Sequence, residues 1–158
     1  MLRASRIEKL LRERDLKFFR AGDGGPRWLI PFEEGHLSII IGDDGESLLF
    51  RSSAIINLEN LKLEVRAAWW QAAMAQNDRM RLGRWVGYEA IHFELPICLE
   101  GNAKMTDTQF QHALGVSIAS LATGRERLEE LMAELPSTQV SNDPLGIFSS
   151  RLRRSENN

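Results

Sequence analysis

The chain has a single cysteine, Cys98, which excludes an intramolecular disulfide, cannot by itself supply a thiolate zinc cluster, and fits a reducing compartment. It also lacks an excess of either charge. Its 20 Lys and Arg stand against 22 Asp and Glu for a net charge of −2, so no global field draws it to nucleic acid or anionic lipid. Long apolar runs are missing too: nothing approaches the ~20 residues of a membrane span. Met1 to Arg14 carries charges every few residues, against a secretory signal. The expected location is the cytoplasm, with no membrane and no nucleic acid as partner. Internal repeats, low-complexity tracts and glycosylation sequons are likewise absent.

What is present suffices for one core. A chain of 158 residues, 43% of them hydrophobic, is long enough to bury most of its apolar surface in a single domain. That domain is expected over residues 1–135. From Pro136 to Asn158 the composition shifts to Ser, Asn, Pro and Arg. Leu145, Ile147 and Phe148 are the main apolar anchors there, too few for a second core, and a flexible tail is expected.

Periodicity supplies the elements. Ile7, Leu10 and Leu11 form one stripe of a first helix, with Ser5 and Glu8 spaced as a capping box, and the helix should stop by about Asp15. From Leu16 to Phe50, apolar clusters separated by Gly22 to Pro26, Glu33-Glu34-Gly35 and Gly42 to Gly45 predict hairpins of about four antiparallel strands, the last running over Ser47 to Ser52. Asn57 is placed to cap a second helix with two adjacent stripes. One contains Leu58, Leu61, Val65, Trp69 and Ala73; the other contains Leu63, Ala67, Trp70 and Met74. So wide an apolar surface predicts packing on two sides. Strict alternation over Ile91 to Leu95 then marks a strand with one wet face, paired with Arg81 to Val86 through Gly87-Tyr88-Glu89. Thr106 with Gln109 opens a long last helix reaching about Leu135, with Phe110, Leu114, Ile118 and Leu121 inward and a weak point at Thr123-Gly124. The expectation is an α+β fold, an antiparallel sheet of about five to six strands with helices packed on it, in the order α-β-β-β-β-α-β-β-α.

No constellation of catalytic residues accompanies these elements. His36, His92 and His112 each lack a neighbouring His or Cys at ligand spacing, so no metal site is expected. Cys98 suits a small buried hydrophobe better than a nucleophile. Glu33-Glu34, Asp43-Asp44 and Glu129-Glu130 fall in turns or on a solvated helix face. Gly22 to Gly25 lacks the Lys-Ser/Thr ending of a phosphate loop and leads into a strand. Basic residues gather at both ends, but in the first helix they alternate with Glu8 and Glu13, as on a solvated face.

The Ala-rich helix of residues 58–76, Leu82-Gly83-Arg84-Trp85, a short turn, a strand closing on Leu95-Pro96 and Thr106 opening a helix occur in an order that resembles the YbjN-like family. The resemblance covers roughly Arg6 to Leu135 and implies the fold of type III secretion chaperones. It further implies a small, usually dimeric protein, not an enzyme and without cofactor, that binds an extended or apolar segment of a partner protein.

The aromatic and arginine positions are then the candidate partner-binding or dimer residues. Trp69 is expected in the core, whereas Trp70 and Met74 on the neighbouring stripe can face a groove or a dimer mate. Trp28 and Trp85 each follow an arginine on a strand, so Arg27 and Arg84 point to the opposite sheet face. If helices cover the Trp side, those arginines are exposed; if not, the Trp side is the binding surface. The alternative is a small-ligand-binding or enzymatic domain with a cleft near Arg27, Arg84 and His92.

Overall fold

The computed structural model describes residues 3–21, 26–33, 35–42, 45–87, 89–99 and 104–134. Among them, three helices and seven strands follow in the order α1 (Ala4–Glu13), β1 (Phe19–Ala21), β2 (Arg27–Phe32), β3 (Gly35–Ile41), β4 (Ser47–Ser52), β5 (Ile56–Asn57), α2 (Leu63–Arg79), β6 (Arg84–Val86), β7 (Ala90–Cys98) and α3 (Asp107–Glu134). Every strand pair is antiparallel. The alternating segment foreseen around Ile91 becomes β7, the longest strand. One edge of β7 pairs with β4 through Glu94 to Cys98 and with β5 through Ala90 and Ile91. The other edge carries β6 opposite His92 to Glu94. Beyond β4 the sheet continues through β3 and β2 to β1.

Alternation puts Trp28, Ile30, Leu37, Ile39, Phe50 and Phe93 on one face, all fully buried. The helices cover that face. Ile7, Leu10 and Leu11 of α1 and Phe110, Leu114 and Leu121 of α3 belong to the same core, and the Phe110 ring lies 5.6 Å from that of Phe50. Arg6 pairs with Asp107, and the Gln111 side chain donates to the Leu10 carbonyl at 3.1 Å, so α1 is tied to α3. Trp28 donates its indole N–H to Glu8 on α1 at 3.3 Å, which satisfies a donor buried in the core. Helix α2 packs on α3 and β6, burying Trp69, Ala72 and Ala73.

Several local expectations give way to tertiary contacts. Helix α2 begins at Leu63, not after Asn57. Asn57 lies in β5, where its side-chain oxygen accepts from the Glu59 N–H at 3.0 Å, an Asx turn instead of a helix cap. The reason is the unpaired edge of β7: Ile55 N–H donates to Ile91 O at 2.8 Å and Leu58 N–H to Glu89 O at 2.7 Å, which holds the segment extended. This two-residue strand raises the number to seven. Ser5 falls inside α1, which starts after Arg3 without a side-chain cap, and Glu8 is turned to Trp28 instead. At the other end of α1, Asp15 adopts φ 53° and Leu16 N–H bonds Leu11 O, a left-handed close that stops the helix where expected. The capping box of α3 forms in both directions, Gln109 N–H to Thr106 Oγ1 at 3.1 Å and Thr106 N–H to Gln109 Oε1 at 2.8 Å. The turns at Gly22 to Gly25 and Asp43-Asp44, together with Tyr88 and the segment 135–158, lie outside the described residues.

Helix α3 does not break at Gly124. It runs unbroken through that position, and a Cβ there would collide with the six-membered ring of Trp85, which stacks edge to face with Phe93 at 5.6 Å. Gly115, by contrast, has open space around it. The two glycines should therefore respond with opposite signs in urea denaturation. Gly115→Ala gains helix propensity and stabilises by up to about 1 kcal/mol. Gly124→Ala gains the same propensity but displaces a locked ring and should be net destabilising, by about 1 to 3 kcal/mol. Equal shifts for the two would refute the packing described.

Asn77, near the end of α2, accepts the Trp85 N–H at 2.6 Å and donates to the Trp85 carbonyl at 3.0 Å. Its amide thus replaces a neighbouring strand on the outer edge of β6. Asn77→Ala leaves both backbone groups without their partner and should lower stability by about 1 to 3 kcal/mol in the same assay. A change within experimental error would show that water replaces the amide fully.

Candidate functional site

The tryptophan question is settled by burial. Trp28 and Trp85 are 0% and 3% exposed, under α1 and against α3 respectively. As candidate partner anchors they are corrected to core residues: the helices cover their face, so they present no surface. Their neighbours Arg27 and Arg84 are exposed on the opposite, uncovered face.

On α2 the two stripes separate. Trp69 and Ala73 of the first are buried, although Val65 is exposed. The second runs outward: Leu63 is 76% and Met74 57% exposed, while Trp70 is half-buried, its ring partly packed on the core. Trp70 and Met74 lie one turn apart and meet on the helix surface. This outward apolar strip is one candidate surface.

The uncovered sheet face is the second. Two cross-strand rows follow from the register. Phe19, Leu29, Ser38, Arg51, Glu94 and Arg84 form one; Ala21, Arg27, Ile40, Leu49 and Pro96 form the other. Leu29, Ile40 and Leu49 are half-buried, and Phe19 is 64% exposed. Glu94 sits between Arg51 at 3.5 Å and Arg84 at 3.7 Å. Arg27 reaches across to Ser38 Oγ at 3.1 Å, which covers that serine. A wet sheet face normally alternates to polar residues. Here β2, β3 and β4 place apolar residues on both sides, a signal visible in Trp28 to Phe32 and Ile39 to Ile41 that the sequence reading did not use.

A third feature was not foreseen. A groove of ≈ 690 Å³ lies between the free edge of β7 and the start of α3, floored by Leu95, Ile97, Met105 and Ala113 and rimmed by Leu82 and His112. Its edge is a particular one. Phe93 N–H donates toward β4, to Ser52 Oγ at 2.9 Å, so the backbone groups of His92, Glu94, Pro96 and Cys98 point the other way. Strand β6 ends opposite Glu94. Pro96 therefore stands at the first outward position past β6, where an N–H would have no partner. That geometry accounts for the Leu95-Pro96 pair in physical terms.

The cleft around Arg27, Arg84 and His92 is not assembled. Arg84 borders a shallow ≈ 310 Å³ hollow with Glu94, Pro96 and Cys98 that Arg27 does not line. Arg27 lies four strands from β6, about 19 Å at normal strand spacing. His92 turns its Nδ1 toward Ser52 O at 3.3 Å. Among the described residues no three His, Cys, Asp or Glu side chains converge in a way that could hold a metal ion, and Cys98 is an exposed free thiol. No described helix is long and apolar enough to cross a membrane.

No protein-family model matches the chain, and no curated protein matches it in sequence. Solved structures do. YbjN, a putative transcription regulator from E. coli, superposes with a TM-score of 0.56 at 14% identity over 85% of this chain and 97% of its own. A chain of the HopA1–SchA chaperone–effector complex superposes with a TM-score of 0.53 at 11% identity, over 75% of this chain and 88% of its own. At these identities the likeness speaks for architecture, and it agrees with the resemblance carried by the helix and strand order: the chain has the YbjN-like, chaperone-like α+β fold.

Proposed function

We propose that the protein is a non-enzymatic, cytoplasmic protein-binding module, chaperone-like or regulatory, that works as a homodimer and binds an apolar or extended segment of a partner protein without cofactor or nucleotide turnover. Residues 1–135 are the working unit. The observation that carries this reading is the outward strip of α2. Leu63, Trp70 and Met74 form a continuous apolar surface on a helix whose other side is already packed, and such a strip favours association over solvation. Support also comes from the neighbours in fold, one a chaperone–effector complex and the other a putative transcription regulator. Helix α2 presents its strip on a rigid element, with Trp70 as a large anchor whose inner edge is held by the core.

Met74→Glu tests the reading without disturbing the core, because the side chain is exposed. Sedimentation of the wild type should show a dimer, and the variant should dissociate about 10- to 100-fold more readily while its urea midpoint stays unchanged. In affinity purification from its own cells, the wild type should retain one or two polypeptides in near-stoichiometric amount, insensitive to ATP. A monomeric wild type would remove the dimer, and failure to retain any polypeptide would remove the protein-binding role.

A further inference from the structure

We propose that the uncovered face of the sheet docks an acidic amphipathic segment of the partner protein, one in which carboxylates flank an apolar run. This rests on the protein-binding reading above and names the chemistry of the partner. The floor is Ile40, Leu49 and Pro96, consecutive partners in one cross-strand row, with Leu29 in the neighbouring row diagonal to Ile40. Around it stand three arginines. Arg27 is the direct partner of Ile40 in its row, between Ala21 and Ile40, and Arg51 and Arg84 lie in the row beside it.

Charge selects the occupant. Among the described strand residues of this face, the only carboxylate is Glu94, shared by Arg51 and Arg84 at 3.5 and 3.7 Å, while Arg27 donates to the Ser38 hydroxyl. The described strand residues of this face thus carry net positive charge, on a chain whose net charge is −2. A second copy placed face to face would oppose two faces of the same charge, which disfavours an isologous contact here. The chain's own C-terminal segment is also the wrong sign, with Arg151, Arg153 and Arg154 against Asp143 and Glu156. Nucleic acid would satisfy the charge but not the aliphatic floor, and among the described strand residues of this face the large aromatic is Phe19, away from the floor's centre at the β1 edge. A segment with an apolar stripe and acidic borders matches both, and guanidinium groups suit carboxylates through paired N–H donors.

The test is selection of a random dodecapeptide phage library on the immobilised full chain, followed by affinity measurements on synthetic copies of the selected peptides. The selected peptides should be rich in Asp and Glu beside apolar residues and poor in Lys and Arg. Their affinity should fall at least about tenfold for Arg27→Gln/Arg84→Gln and stay level for Lys9→Gln/Arg12→Gln, which removes the same two positive charges from α1 on the other side of the sheet. Absence of any selected peptide, absence of acidic bias, or equal binding to the arginine variant would each overturn the inference. So would a shift of the dimer equilibrium by the arginine variant, which would assign the face to a second copy, or arginine-dependent binding of a single-stranded oligonucleotide tighter than that of the peptides. If polypeptide capture persists in affinity purification while selected peptides ignore the arginines, this inference falls and the protein-binding role stands.

Discussion

The contact on which the arrangement of helices depends is the clasp around Trp85. Its ring lies in the gap left by Gly124 on α3 and meets Phe93 of β7 edge to face. Its backbone is held from outside by Asn77 of α2. One residue of a three-residue strand therefore joins both long helices to the central strand. Any side chain at Gly124 would push α3 away from β6, and without the Asn77 amide the end of α2 would lose its polar tie to the sheet. A strand as short as β6 contributes little by its own ladder, so side-chain docking is what holds it.

With α2 fixed in this way, its two stripes acquire different fates. Trp69 and Ala73 turn inward, and Leu63 and Met74 turn out, with Trp70 astride the boundary. The apolar residues are so widely spread around the helix that they scarcely define a single face. That breadth fits a helix meant to be covered on two sides, one by its own fold and one by something else. The small alanines Ala72 and Ala73 beside Trp69 on the inward side let α2 approach α3 closely.

The sequence disclosed the parts of the fold that follow from period and cap. The alternation at Ile91 to Leu95, the reciprocal Thr106 and Gln109 cap and the stripe of α1 are local signals, and the structure keeps them. The misreadings arise where a long-range partner decides. Asn57 has the chemistry of a helix cap, but Ile55 and Ile56 find the edge of β7 first, and the helix start moves to Leu63. Gly124 has the chemistry of a break, yet it is a seat for a ring brought from a distant strand. For the candidate surfaces, the Trp70 and Met74 stripe and the outward arginines were legible from spacing alone. Which sheet face the helices would cover was not, since alternation assigns Trp28 and Arg27 to opposite faces without saying which is wet. The groove beside β7 was hidden because it depends on where β6 stops.

Edges complete the argument about how such a molecule meets another. An antiparallel sheet recruits strands through unpaired backbone, and here the edges at β1, β6 and the end of β7 are blunted. Strand β1 is three residues long. The outward backbone of Trp85 in β6 is occupied by Asn77. Past the end of β6, the first outward position of β7 is Pro96, which has no N–H to give. Strand addition is thereby disfavoured at these three borders. The exposed surfaces that remain are faces built from side chains, the α2 strip and the arginine-bordered sheet floor, and such faces offer apolar shape and charge instead of backbone pairing.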